Sequence, residues 1–490
     1  MTKLKGKNKD KSKQVGEAIH HEGHQLKTRR DFLSQGFLGT CALTMMPNVL
    51  DLIVNGSAFA QDCAPAVFDG KTPVLIFDLA GGANIAGSNV MVGGAGGQMD
   101  FLQSYRSLGL PADMHPSLAG QLNNSLGLAF HGDSSMLRGI NSRINATVRA
   151  KVDGAVFCTS SGDDTGNNPH NPIYWLNKAG AKGQLTQLAG TRNSDSGGRS
   201  MVPMASMNPT LKPVQINRPE DALGLVNIGT LGNVFDENKV QRVLKAIERM
   251  SERKLMSFQE QSLPMQIKEL VKCGYVNSQD LIGRFTPEAI DPRLDNDVNN
   301  AFDNLGNGDQ RKVATMAKLL LDGHLGVATV EKGGYDYHDK TRATGERRDF
   351  DAGELIGRVL QLAAAKNKNI MIYVITDGGV AARDEIDNSA DGRGKYVWSG
   401  DSGQRSSSFM LVYRDAGKIQ LRTTNRQIGH FKESGGVENA ATPSSNSVTN
   451  LAKLVTANYL ALHEEEGMLN DVVGDNPFTN LEQYLIFQKI

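Results

Sequence analysis

The amino-acid sequence predicts an α/β fold in which a mostly parallel sheet is flanked by helices and carries a helical insertion. Five short apolar runs have the length and composition of strands that are buried on both faces, and polar, glycine-rich loops follow the clearest of them. Helical patterns lie between these runs. Strands that alternate with helices along a chain generally build a parallel sheet with helices against it.

The five predicted strands are residues 71–80, 155–158, 326–330, 369–376 and 408–413. The run 369–376 gives the strongest signal, because it is continuously apolar and leads directly into Asp377-Gly378-Gly379. Apolar residues at three- and four-residue spacing predict four helices, at residues 238–255, 310–321, 352–365 and 448–463. Residues 235–310 are charged and helical in pattern, which indicates an insertion or cap. The predicted core therefore comprises residues 61–234 and 311–490.

The first sixty residues predict an export signal. Arg29 and Arg30 are followed by Phe-Leu, then by a mildly apolar stretch at 37–46, and Ala58-Phe-Ala60 stands before Gln61. This order of charge, apolar run and small-x-small site is typical of a signal peptide, and the arginine pair indicates the twin-arginine route. We therefore expect the twin-arginine translocase as a partner during export and a periplasmic or secreted protein. One alternative is a basic tail with a chance arginine pair. Another, weaker one is a lipoprotein modified at Cys41, where Thr40 is an unusual residue before the cysteine.

The same segment does not predict a stable membrane span. Its apolar run is interrupted by polar residues and falls short of the ~20 apolar residues that a spanning helix needs. Residues 1–60 carry nine of the 53 basic and five of the 53 acidic residues, so the remainder has a formal excess of four acidic groups. Nucleic-acid binding requires a strong basic excess, and this balance excludes it. Cys63, Cys158 and Cys273 form no disulfide framework, and the choice of any pair stays open.

Acidic and imidazole side chains follow several of the predicted strands. Asp336 and His338 stand two residues apart in a loop after the third strand, and this pairing of oxygen and nitrogen donors suits Zn²⁺, Mn²⁺ or Fe²⁺. Asp377 ends the strongest strand, and Asp401 precedes the fifth. Asp78 near the end of the first strand is costly to bury unless it is paired or binds a metal. The alternative for each is an ordinary turn or helix-capping role.

Five motifs resemble those of a bacterial family, one in the first sixty residues and the others in an order and spacing that cover most of residues 72–415. The chain is similar to twin-arginine-exported proteins of unassigned function that are grouped with the alkaline phosphatase and sulfatase-like superfamily. The motifs are the arginine pair with Phe32-Leu33, Leu-Ala-Gly-Gly-Ala-Asn at 79–84, Met-His-Pro-Ser-Leu at 114–118, Gly-Tyr-Asp-Tyr-His at 334–338, and the pair Thr-Asp-Gly-Gly at 376–379 and Gly-Asp-Ser-Gly at 400–403. The resemblance implies an alkaline phosphatase-like fold and a site for divalent metal.

Two departures from the family pattern bear on that site. Asn84 stands where the family has an acid, and Ser402 stands where it has a histidine. Both changes remove strong metal ligands, so the resemblance implies at most a partial site. The ligands that remain for one ion are Asp78, Asp336, His338, Asp377 and Asp401.

Two functions follow as expectations. The first is a metal-dependent hydrolase for a phosphate or sulfate ester in a small molecule or polymer, with Ser88, Thr165 or a water as the attacking group. The second is a binding or assembly protein of the cell envelope that keeps the fold and has lost hydrolysis. A nicotinamide oxidoreductase ranks last, because no Gly-x-Gly-x-x-Gly opens a helix after the first strand.

Overall fold

The described part of the chain is built around an eight-stranded sheet. The computed structural model describes residues 70–162, 168–226, 287–338, 340 and 342–490. Within them the strand order across the sheet is β12-β4-β11-β8-β1-β7-β5-β6. These strands are β1 (Val74–Leu79), β4 (Val152–Cys158), β5 (Thr186–Gly190), β6 (Val214–Gln215), β7 (Leu325–Lys332), β8 (Ile370–Thr376), β11 (Ser407–Tyr413) and β12 (Gln427–Ile428).

Seven of the eight strands run parallel. The exception is β11, which pairs antiparallel with both β4 and β8. All five predicted strands are present, and the prediction of a mostly parallel sheet is confirmed. Two short antiparallel hairpins lie outside this sheet: β2 (Leu122–Leu126) with β3 (Leu128–His131), and β9 (Val380–Asp387) with β10 (Lys395–Asp401). Neither hairpin is among the strands predicted from the sequence.

Helices cover both faces of the sheet. They are α1 (Ser135–Asn141), α2 (Ala146–Ala150), α3 (Ile173–Lys178), α4 (Pro219–Val226), α5 (Pro287–Ile290), α6 (Asn296–Ala301), α7 (Gly308–Leu321), α8 (Ala343–Ala365), α9 (Val448–Ala461) and α10 (Leu469–Val473). The predicted helices near α7, α8 and α9 are confirmed. Residues 235–286 of the predicted insertion, which include the predicted helix at 238–255, lie outside the described residues. Its described remainder contains α5, α6 and the start of α7.

Two apolar cores separate the sheet from its helices. Leu75, Phe77 and Leu79 of β1 belong to the core beneath α1, α7 and α8. Val74 and Ile76 belong to the opposite core, beneath α3 and α9. This division follows from the two-residue period of a strand. Asp78 follows Val74 and Ile76 at the same two-residue spacing, so the alternation directs its side chain toward the core beneath α3 and α9.

None of the described helices combines the length and the apolar character that crossing a bilayer requires. The predicted leader at 1–60 lies outside the described residues. Cys158, at the end of β4, is buried and has no disulfide partner among the described residues. Cys63 and Cys273 lie outside them.

Candidate metal centre

Three of the five predicted ligands converge where the carboxyl ends of β1, β7 and β8 meet. Asp336, His338 and Asp401 each offer one ligand atom, and these atoms lie within 4.8 Å of one another. Nε2 of His338 is 2.6 Å from Oδ1 of Asp336 and 3.4 Å from Oδ2 of Asp401. The carboxyl edge of a parallel sheet is where ligands generally bind in open α/β folds.

The donor set fits a divalent transition metal. A tetrahedral zinc site with bonds of about 2.0 Å separates its ligand atoms by about 3.3 Å. The observed separations lie on either side of that value, so small side-chain rotations suffice to admit an ion. The side chains are 65%, 38% and 32% exposed for Asp336, His338 and Asp401, respectively. Three protein ligands that face solvent leave coordination positions open, as in catalytic rather than structural sites.

Alternating burial explains how Asp336 and His338 reach the same side. Residues 333–338 continue from β7 without regular secondary structure, and Tyr335 and Tyr337 are buried while Asp336 and His338 are not. The amide of Tyr335 donates to the carbonyl of Ala80 at 3.2 Å, which holds this segment beside the loop after β1. The tyrosines therefore anchor the segment, and the two ligands lie between and after them on its open side.

The loop after β1 is close to both parts of the centre. Gly81 has φ +121°, and a Cβ there would lie 2.4 Å from the amide nitrogen of Asp336. A Cβ on Gly82 would lie 3.7 Å from Oδ1 of Asp401. Thr376 fixes the loop, because its Oγ1 accepts from the amide of Ala83 at 2.6 Å and donates to the carbonyl of Leu79 at 3.0 Å. Only glycine at residue 81 allows the ligand segment to approach so closely.

Asp401 comes from a different kind of element. It is the last residue of β10, and β10 pairs with β9 at Val380, which follows Asp377-Gly378-Gly379. The amide of Ser402 donates to the carbonyl of Gly379 at 2.8 Å. The hairpin thus returns the chain to the end of β8 and places the third ligand beside the first two. The sequence predicts only that Asp401 precedes the fifth strand, because the bulged pairing of β9 with β10 leaves no clean alternation that would indicate the hairpin.

The structure does not bring the other two predicted ligands into this group. Asp78 is fully buried, and its Oδ2 accepts from the amides of Arg199 and Ser200, both at 2.8 Å. Burial raises the pKa of Asp78, although these two amides act in the opposite direction. Oδ1 of Asp377 lies 3.8 Å from Nε2 of His170. Burial lowers the pKa of His170 to about 4, so His170 is neutral at pH 7.

The two predicted nucleophiles have different outcomes. Ser88 is 1% exposed, and its Oγ accepts a hydrogen bond from the side-chain amide of Asn84. This burial argues against an attack by Ser88 on a substrate at the solvent-facing centre. Thr165 lies outside the described residues. Asn84 and Ser402, the two departures from the family pattern, both make other hydrogen bonds. The side-chain amide of Asn84 donates to Ser88, and Oγ of Ser402 accepts from Nη1 of Arg405 at 3.0 Å.

A buried acid supports the centre and was missed in the sequence. Asp349 of α8 accepts from the hydroxyl of Tyr337 at 3.0 Å and from the side-chain amide of Asn89 at 2.7 Å. Burial is the main cause that raises the pKa of Asp349 to about 7, and the carboxylate of Glu346 raises it further. The Tyr-Asp-Tyr-His alternation at 335–338 indicates that Tyr337 points inward, but it does not indicate that its partner is Asp349.

Comparison of the chain with family models, curated proteins and solved structures finds no match to any of them. The family resemblance therefore stays a prediction.

Proposed function

We propose that this chain is an exported, metal-dependent hydrolase of phosphate or sulfate esters, built on an alkaline phosphatase-like version of the α/β fold. The observation that carries the proposal is the convergence of Asp336, His338 and Asp401 into a solvent-facing group with one imidazole nitrogen and two carboxylate oxygens. Such a donor set favours zinc or manganese. A bound ion of this kind polarises an ester oxygen and stabilises negative charge on it.

Two separate elements position the three proposed ligands. Asp336 and His338 are held by the anchored segment after β7, and Asp401 is held by the β9–β10 hairpin. Arg405 lies in the short 3₁₀ turn directly after this hairpin. Its guanidinium donates to Ser402, the neighbour of Asp401, and the planar fork of N–H donors in a guanidinium is well suited to bind two oxygens of a phosphate or sulfate group. We assign Arg405 to substrate binding.

A binding or assembly protein without hydrolysis is the second candidate. It is favoured by the positions of Asp78 and Asp377, which do not join the three converging ligands, and by the burial of Ser88. A single ion with three protein ligands could hold an anionic group without cleaving it. The twin-arginine route and a periplasmic or secreted location are part of both candidates.

Metal analysis of the purified protein tests the proposal. We expect about one equivalent of zinc or manganese per chain, lost in Asp336→Ala and in His338→Ala and retained in Asp471→Ala, which alters an exposed acid elsewhere. Cobalt loading gives a second readout, because its visible absorption bands report an imidazole–carboxylate environment. If the folded protein binds none of these ions after soaking, the metal centre is refuted.

Turnover separates the two candidates. Aryl phosphates and aryl sulfates are to be assayed with the metal-loaded protein, the His338→Ala variant and an Arg405→Met variant. The hydrolase is supported if the metal-loaded parent cleaves an ester, the His338→Ala variant does not, and the Arg405→Met variant has a raised KM. Stoichiometric metal without turnover of either ester class supports the binding protein instead.

A further inference from the structure

Three methionines are exposed at regular intervals on one surface loop. Met201, Met204 and Met207 are 41%, 82% and 37% exposed. Eight large apolar side chains are exposed in the described part of the chain: Met99, Leu118, Met201, Met204, Met207, Leu294, Ile386 and Met468. Single exposed apolar residues are ordinary on protein surfaces, but three within seven positions form a cluster that calls for a cause.

The backbone of this methionine cluster is well anchored. Val202 and Pro203, between the first two methionines, are buried. The amide of Met201 donates to the carbonyl of Asn168 at 3.3 Å, and the carbonyl of Met201 accepts from the amide of Asn171 at 3.0 Å. The three thioethers are therefore displayed by a fixed segment and not by a loose chain end.

The local geometry brings the thioethers within reach of one another. Met204 opens the 3₁₀ turn Met204–Ser206, and the amide of Met207 donates to the carbonyl of Met204 at 3.2 Å. Side chains three residues apart in a 3₁₀ turn lie above one another, so Met204 and Met207 share a face. Met201 is three residues before Met204, a span of at most about 10 Å, and each methionine has three rotatable bonds with which to close it.

The chemistry of the cluster is soft throughout. Between Arg199 and Lys212 the sequence has no aspartate, glutamate, histidine or cysteine, so the loop itself offers no charged oxygen, imidazole or thiolate ligand. Thioether sulfur prefers soft monovalent ions such as Cu(I) over zinc, manganese or magnesium. We propose that Met201, Met204 and Met207 bind one soft monovalent cation, Cu(I) or Ag(I), through their three sulfur atoms.

This site is separate from the Asp336–His338–Asp401 centre in its residues and in the ions that it prefers. The methionine site requires neither hydrolysis nor export nor the family resemblance. The three methionines are exposed because their sulfur atoms bind an ion, and not because their apolar surface binds a partner.

Methionine-to-leucine variants distinguish these two causes, because leucine keeps the apolar surface and removes the sulfur. The full chain, labelled with ¹³C at the methionine methyl groups, is titrated with Ag(I) in chloride-free buffer. We expect three methyl resonances, assigned to residues 201, 204 and 207 by the single variants, to shift together and to saturate over one equivalent, counted after the cysteine thiols have taken up Ag(I). The Met99→Leu and Met468→Leu proteins, which each lack one isolated exposed methionine, should behave like the parent.

Competition against a chromophoric Cu(I) chelator under anaerobic conditions measures the affinity. Each single leucine variant should bind Cu(I) about tenfold more weakly or worse, and the triple variant should lose one equivalent, since ligand number sets the affinity of a metal site. Thiols contribute equally to all these proteins and cancel in the comparison. The Asp336→Ala protein should retain the site. Unchanged Cu(I) and Ag(I) binding in a folded triple variant would overturn the proposal.

Discussion

The hydroxyl of Tyr337 donates a hydrogen bond to Oδ1 of Asp349 over 3.0 Å, and both side chains are fully buried. The same hydroxyl accepts from the backbone amide of Asn84 at 2.6 Å. One phenol thus joins helix α8, the loop after β1 and the segment that carries Asp336 and His338. The positions of Asp336 and His338 therefore depend on the hydrogen bonds of Tyr337, whose side chain lies on the buried side of the same segment.

Removing this hydroxyl should loosen the metal centre. In Tyr337→Phe the ring still fills its place, but Asp349 and the amide of Asn84 each lose a partner, at a cost of about 1–3 kcal/mol per buried group. We expect zinc affinity to fall by about tenfold or more, in the range found when groups that orient metal ligands are removed. Tyr373→Phe is the matched control, because that buried hydroxyl contacts Ser408 and not the ligand segment. Equal zinc affinities in both variants would argue against the anchoring role.

Asp349 should make the stability of the metal-free protein fall with rising pH. The carboxyl has a pKa of about 7 when folded, against 3.8 in the unfolded chain. Between these values the folded state holds more protons than the unfolded state, so the free energy of unfolding decreases as pH rises. At about 1.36 kcal/mol per pKa unit the total is at most about 4 kcal/mol.

The measurement is urea unfolding at several pH values from 4 to 8 in the presence of a chelator. Other groups titrate in the same window, so the quantity of interest is the difference between the parent and Asp349→Asn. That difference should change with pH from 4 to 7 and become constant above 7. A difference that is constant across the whole range would show that Asp349 is already ionised at low pH in the folded protein.

Gly81→Ala should displace Asp336 and weaken metal binding. The new Cβ would lie 2.4 Å from the Asp336 amide nitrogen in addition to the strain of φ +121°. Gly417→Ala separates these two effects, because Gly417 has φ +119° and no atom within 4 Å of the added Cβ. We expect both variants to lose about 1 kcal/mol or more of stability through backbone strain, and only Gly81→Ala to lose zinc. Retention of full zinc affinity in Gly81→Ala would contradict the close approach that the structure shows.

A buried ion cluster stabilises the start of the hairpin that carries Asp401. Nζ of Lys395, the first residue of β10, lies 3.0 Å from both carboxylate oxygens of Glu346. The guanidinium of Arg342 pairs with the same carboxylate at 2.8 Å and stacks 4.1 Å above the ring of Trp398. Lys395 and Arg342 are wholly buried and Glu346 is 4% exposed, so each charge depends on the others for compensation.

Lys395→Met should therefore destabilise the fold by about 1.5–3 kcal/mol, because the carboxylate of Glu346 and the carbonyl of Asp133 lose the hydrogen bonds from Nζ, although Arg342 still pairs with Glu346. The control is Arg347→Met, which breaks the exposed pair with Asp391 and should cost about 1 kcal/mol or less. Chemical unfolding of both variants decides the matter. A loss below about 1 kcal/mol in Lys395→Met would mean that the cluster is solvated or readily rearranged.

The sequence by itself determined the presence and type of the main elements. The continuous apolar runs at β1 and β8 predict strands buried on both faces, and the helical periodicity of α8 and α9 is equally plain. It also indicated Asp336 and His338 as neighbours on one loop. These features are local, since a period of two or of about four residues is written into a short stretch of chain.

The tertiary structure decided which distant residues meet. Asp78 and Asp377 stand at the carboxyl edge as predicted, yet the strand alternation directs Asp78 toward the core beneath α3 and α9, and Asp377 lies against His170. Asp401 joins Asp336 and His338 because a bulged hairpin returns to the end of β8. Register, bulges and the path of a hairpin depend on contacts between segments far apart in the chain, and no local pattern encodes them. The sequence therefore contained five candidate ligands, and the fold brought three of them together.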